Sequence, residues 1–273
     1  MNYLATRWFC VLRGRKPDKQ EVLKTLYGAA ITPLVDDLWD SEGYNSTQII
    51  NKLKDKNESS DSIVLVRYLY DNLLKEVTED FNKVFNKAIA AQDVSIKQLK
   101  KERLSEKELR QITFDKGGYS ILLNRVLLKN PFKVGEEEAI YTLGALVQLT
   151  NDMFDVYKDS QSGQQTLYTN SENLNELHRQ YLTLINEFLT QIAGLGYKSR
   201  NTKKSLYEIL VYFSRGIVCS NQLLALQQKN NDKFEINKFS RKELICDMEK
   251  ISNIIKSLKY FSSLCRGIRM EAI

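Results

Sequence analysis

Apolar positions recur along this chain at intervals of three and four, the spacing that gathers them on one face of an α-helix. Strand-like alternation bounded by turn residues is hard to find. The pattern predicts an all-α fold of about eight helices, at 2–13, 18–40, 61–91, 104–128, 135–160, 171–194, 203–229 and 240–267. Punctuation supports the boundaries. "SRKE" at 240–243 reads as a capping box, Gly194 and Gly196 stop one helix, and "NPFKVG" at 130–135 separates two others. The adjacent Gly117 and Gly118 cost a helix about 2 kcal/mol relative to alanines and predict a kink or break with exposed backbone groups. Residues 41–60, "SEGYNSTQIINKLKDKNESS", are polar and lysine-rich and read as a solvated loop, with a lid as the alternative. No linker rich in Gly, Ser or Pro interrupts the chain, so one domain spanning 1–273 is expected.

One predicted helix is unlike the rest. In "QLTNDMFDVYKD" (148–159), at ~100° per residue, Gln148, Asp152, Asp155 and Asp159 fall within an arc of about 60°. The surrounding surface carries Leu143, Leu146, Val147, Leu149, Met153, Phe154 and Val156, so the helix should lie inside the protein with its polar stripe. Unpartnered buried carboxylates cost several kcal/mol each and repel one another, so the stripe needs cations, protonation or water. A divalent metal is the simplest answer. A second acidic patch, "PLVDDLWD", puts Asp36, Asp37 and Asp40 on one turn at the C-terminal end of a helix, where negative charge is unfavourable. Magnesium is normally held by one or two carboxylates plus phosphate oxygens and water, so two such patches on facing helices could clamp a diphosphate through shared metals.

Charge and composition narrow the partners. The net charge is +6, yet the 40 lysines and arginines are dispersed without an RNA-binding or helix-turn-helix signature. That argues against nucleic acid and suits a small polyanion such as diphosphate. Cysteines at 10, 219, 246 and 265 show no paired spacing, and His178 stands alone. A disulfide framework, a zinc site and any two-histidine mechanism are disfavoured, and a reducing cytoplasm is expected. No apolar run approaches ~18 residues and Arg7 interrupts the N-terminal stretch, so neither a spanning helix nor a cleavable signal is expected.

"DDLWD" followed by "LGALVQLTNDMFDVYKD" resembles the class I isoprenoid synthases, the helical enzymes that include trans-prenyl diphosphate synthases, terpene cyclases and squalene/phytoene synthases. The first motif is similar to their D-D-x-x-D. The second reads in more than one register. Gln148, Asn151, Asp152 and Asp155 resemble the second aspartate-rich motif of the chain-elongating enzymes. "QLTN" with "DVYKD" is similar to squalene/phytoene synthases, with Asp155 and Asp159 as the ligands. The cyclase triad is matched less well, since the chain departs from it at Asp155 and Asp159. "DKGGYSILL" at 115–123 is similar to the segment of prenyl synthases in which a lysine, here Lys116, meets the diphosphate. The short stretch before Asp36 looks more like squalene/phytoene synthases, and "RGRK" at 13–16 stands where elongating enzymes carry a G-G-K-R segment.

The resemblance implies a single-domain helical bundle of the isoprenoid synthase type with a central active-site cavity. It implies about three Mg2+ and an allylic prenyl diphosphate that is ionised for coupling, elongation or cyclisation. Asp36, Asp37, Asp40 and Asp155 would be catalytic, and metal ligands would be drawn from these with Asn151, Asp152 and Asp159. Lys116, Gln148 and Arg215 would bind diphosphate. Head-to-head coupling of two prenyl diphosphates is one alternative. A non-catalytic prenyl-lipid-binding protein that keeps the fold is the other. A homodimer, and peripheral membrane association through the lipid substrate or product, are compatible with this reading. Secondary candidates are Arg67, Arg125, Lys259, Tyr260 and Arg266 for diphosphate contacts, and Phe9, Trp39, Tyr70, Tyr119, Phe154, Tyr212 and Phe213 for a hydrocarbon pocket and cation–π stabilisation.

Overall fold

The computed structural model describes residues 2–40, 42–75 and 80–270, and no strand occurs among them. In chain order the helices are α1 (Asn2–Leu12), α2 (Lys19–Asp40), α3 (Ser46–Lys54), α4 (Asp61–Leu74), α5 (Asp80–Ser95), α6 (Glu106–Val126), α7 (Glu136–Phe154), α8 (Val156–Ser162), α9 (Leu167–Asn170), α10 (Leu174–Gly194), α11 (Ser199–Lys229), α12 (Arg241–Leu244) and α13 (Ile251–Met270). The expected all-α class is observed, in more pieces than the periodicity predicted.

The α6–α7 pair lies at the centre, with α5 on the far side of α6, α10 and α11 on α7, and α1 spanning α2, α6 and α11. Gly117 and Gly118 do not break α6, contrary to the expectation. They are packing contacts: a methyl group on Gly117 or Gly144 would overlap the facing helix's backbone, and one on Gly118 would strike the Tyr141 ring. The lost helix propensity is offset by the close approach of two backbones.

The connection from α6 to α7 is locked by a buried ion cluster. Arg125 Nε donates to Glu136 Oε1 at 2.7 Å, Arg13 Nη2 to Glu136 Oε2 at 2.7 Å, and the Lys133 amide to Oε2 at 2.8 Å. The remaining Arg125 donors reach the Asn130 and Pro131 carbonyls. Burial alone would raise the Glu136 carboxyl, but the hydrogen bonds from Arg125 and Arg13 pull it down to about 2. Arg125 is thus a structural residue, 1% exposed with its donors used inside the loop, and is not available to a diphosphate.

Three other expectations change. Residues 42–60 are not a free loop. They contain α3, started by an Asn45/Gln48 capping box, with Ile49 and Leu53 buried. Arg67 pins that segment by donating to the carbonyls of Lys52, Leu53 and Glu58, which also removes it from the diphosphate candidates. The predicted 61–91 helix is two, α4 and α5. The box at Ser240 and Glu243 caps a single turn, after which the chain breaks before α13, with Asn253 Nδ2 donating to the Asp247 carbonyl at 2.8 Å. One described helix, α11, is long and apolar enough to cross a membrane, and here it serves as a core helix contacted by α1, α7, α10 and α13.

Candidate functional site

Helices α2, α5, α6 and α7 enclose a cleft of about 210 Å3. Asp36, Lys116 and Gln148 line it, three sequence-nominated residues from three different helices. Its apolar walls are Ile31, Val35, Trp39, Phe85, Ile89 and Leu123. The glycine seam sets this arrangement. Lys116 directly precedes Gly117, and a Cβ on Gly117 would fall 2.7 Å from the Cβ of Gln148, so only glycine lets the two nominated side chains sit side by side. On the α2 side, the Trp39 indole N–H donates to Asp93 Oδ1 at 2.6 Å and the Ser46 amide to Asp93 Oδ2 at 2.9 Å. Asp93 therefore ties the first acidic motif and the segment after it to α5.

The second patch runs from the cleft along α7 into α8. Gln148 Nε2 donates to Asp152 Oδ1 at 2.8 Å, and Thr113 Oγ1 donates to Oδ2 at 3.3 Å. Asp152 is 4% exposed, and burial pushes its carboxyl up to about 7 against the Gln148 hydrogen bond; the Asp159 charge raises it further and Lys116 opposes. Burial also carries Asp159 to about 6, with Asp155 adding repulsion and Lys158 and Lys116 opposing it. The Lys116 charge bears on both carboxylates. Asp155 is exposed at the α7–α8 junction, where its backbone (φ −91°, ψ 5°) bends the line of the stripe. Asn151 Oδ1 accepts from the Tyr212 hydroxyl at 3.0 Å.

The nominated residues thus fall into groups. Asp36, Lys116 and Gln148 meet in the cleft, and Asp152 touches Gln148. Asp37 is exposed on α2, and the side chain of Asp40 lies outside the described residues. Arg215 is exposed on α11, one turn from Tyr212, whose hydroxyl burial raises to about 12 and Arg215 lowers. Among the hydrocarbon-pocket candidates, Trp39 lines this cleft. Phe9 and Tyr212 instead line a second, largely apolar cavity of about 200 Å3 between α1, α6, α7 and α11. Phe213 is core, edge-on to Phe188 at 5.8 Å. His178 is half-buried against Ser220 Oγ at 2.9 Å, away from both acidic patches. Sequence reasoning missed Asp93, Thr113 and Phe85. Each sits within a helix without a motif, and only the fold brings it to its partners.

The candidate ligand atoms of Asp36, Asp37, Asp152, Asp155 and Asp159 are carboxylate oxygens, the donor type a hard cation such as Mg2+ prefers. Among the described residues no three acidic, histidine or cysteine side chains gather closely enough to hold an ion by themselves. The donors therefore fit magnesium as an open half-shell to be completed by phosphate oxygens and water, not as a protein-only cage.

No protein-family model matches the chain, and no curated protein matches it. Among solved structures it is similar to a dehydrosqualene synthase in complex with ligand, with 16% identity over 94% of this chain and 92% of that chain and a TM-score of 0.47.

Proposed function

We propose that this chain is an isoprenoid synthase that binds an allylic prenyl diphosphate in the α2–α5–α6–α7 cleft and ionises it. The observation that carries this reading is the meeting of Asp36, Lys116 and Gln148 beside an apolar wall, a polar head site joined to a hydrocarbon site. The Lys116 ammonium and Gln148 amide donate to diphosphate oxygens, and the walls from Ile31 to Leu123 hold the first carbons of the tail away from water. A cavity of 210 Å3 is below the ~300–1,000 Å3 usual for drug-sized ligands, so a long prenyl tail must part the α2 and α5 walls on entry.

Asp36 and Asp37 on one side, and Asp155 and Asp159 on the other, would hold magnesium. When bound, the metal supplies electrostatic stabilisation of the negative charge that accumulates on the departing diphosphate. Gln148 and Thr113 orient Asp152, which stands behind the head site and acts on it through Gln148. No protein nucleophile is needed, and the apolar walls keep water from the allylic cation.

The test is single-turnover diphosphate release from farnesyl diphosphate at saturating Mg2+. Asp155→Ala and Lys116→Ala should abolish release. Asp159→Ala should be nearly as severe in the squalene/phytoene-like register, and Asp152→Ala should lose about 10–100-fold, as for a residue acting through another. A silent Asp159→Ala with a dead Asp152→Ala would favour the elongation-like register. The upward shifts at Asp152 and Asp159, which disfavour their charged forms, favour one second reading, a prenyl-lipid binder that does not ionise its ligand. Tight binding of farnesyl thiodiphosphate by a chain that releases no diphosphate would establish that alternative.

A further inference from the structure

Helix α13 is amphipathic in the wrong sense for a helix packed on a protein core. The face it turns to α11 is polar over its first half. Asn253 and Ser257 are buried, Ser257 Oγ hydrogen-bonds Ser214 Oγ at 2.8 Å, and one turn on the Tyr260 hydroxyl accepts from Asn221 at 3.2 Å. The outward face carries Ile251, Ile254, Ile255 and Leu258, which are 76%, 44%, 48% and 61% exposed. At ~100° per residue these four fall on one stripe about 100° wide. Single exposed aliphatic residues are ordinary, but four on one stripe whose opposite face is buried and polar form a patch that something covers.

The charges say what. Between 251 and 270 the helix has no acidic residue, and Lys256, Lys259 and Arg266 are exposed along it; Asp247, Glu249 and Lys250 lie just before its first turn. An exposed apolar stripe with a basic rim, on a chain of net charge +6, matches an anionic bilayer surface, where the apolar face enters the headgroup boundary and the lysines meet lipid phosphates. A second copy fits poorly. Two such helices would bring like charges together, and the four side chains at these exposures supply roughly half of the ~800 Å2 per partner typical of a stable interface.

We infer that the outward face of α13 docks this protein on anionic lipid membranes, lying in the interface plane. The docking itself does not depend on the prenyl reading, because it rests on α13 alone.

Vesicle flotation of the full chain tests it, with phosphatidylcholine vesicles compared with vesicles containing about a third phosphatidylglycerol at about 0.1 M salt. The wild type should float with the anionic vesicles and stay behind with the neutral ones. The Ile254→Ser/Leu258→Ser pair and the Lys256→Gln/Lys259→Gln pair should each lower partitioning by at least about tenfold, with melting temperatures matching the wild type. Failure of the wild type to float, or flotation of either pair at the wild-type level, would overturn the inference. So would a wild-type dimer in analytical ultracentrifugation that the serine pair dissociates, since the face would then belong to a second copy. Diphosphate release measured without vesicles is a separate readout, so failure of the docking and failure of the proposed chemistry remain distinguishable.

Discussion

Helix α7 carries two carboxylates buried almost equally deeply, four turns apart, and the protein treats them in opposite ways. Glu136, at its start, meets two guanidinium groups and a backbone amide, and its carboxyl is held near 2. Asp152, near its end, receives a neutral amide and a hydroxyl, with Asp159 adding negative charge, and its carboxyl rises to about 7. The first is a completed ion cluster that fixes a loop. The second is a charge left short of cations beside an open cleft, an arrangement that costs stability and belongs where a ligand completes it.

The largest expected effect is at the completed cluster. Glu136→Gln strands Arg125 and Arg13 inside the protein and should cost about 3–5 kcal/mol in chemical denaturation. Asp152→Asn should instead leave stability unchanged or raise it near pH 7.5, while slowing diphosphate release. A large destabilisation there would make the two carboxylates alike and remove the distinction.

Their pH dependences should diverge as well. Glu136 contributes stability that is present above its unfolded value of 4.5 and is lost as pH falls towards 2, roughly 3 kcal/mol in all. Asp152 works in the other direction: it is protonated in both states below about 3.8, and its ionisation penalises the folded state increasingly as pH rises to about 7. In Asp152→Asn, the loss of stability between about pH 4 and 7 should be smaller than in the wild type, and urea denaturation across that window checks it. An intermediate effect is expected at the seam. Gly144→Ala must push α7 away from α6 and should cost about 1–3 kcal/mol, with a loss of diphosphate binding because Gln148 moves with the helix. Equal ligand affinity in that variant would uncouple the seam from the site.

Much of this was legible in the sequence. The helical class and the polar stripe containing Gln148 followed from periodicity, Asp36 from its acidic cluster, and Lys116 from the resemblance of "DKGGYSILL" to a prenyl synthase segment. The glycine pair was read as a break because a lone sequence shows the propensity cost of Gly117 and Gly118 but not the facing Gly144 that offsets it. Residues 41–60 read as loop because two apolar anchors, Ile49 and Leu53, were outnumbered by polar neighbours, and the Arg67 clamp is formed across another helix. Asp93 and Thr113 were invisible for a related reason. An aspartate or threonine inside a helix carries no signal of its own until the fold supplies Trp39 or Asp152 as its partner.

The most direct measurement is a calorimetric titration of farnesyl thiodiphosphate, with Mg2+ present, into the wild type and into Lys116→Met. Lys116 lines the cleft beside Asp36 and Gln148, and its charge is felt by both Asp152 and Asp159. The wild type should bind and the variant should lose affinity by at least about tenfold, in line with removing a charged hydrogen-bond donor from an anionic head group. Binding by the variant at wild-type affinity, or no binding by either protein, would contradict the assignment of this cleft as a prenyl diphosphate site.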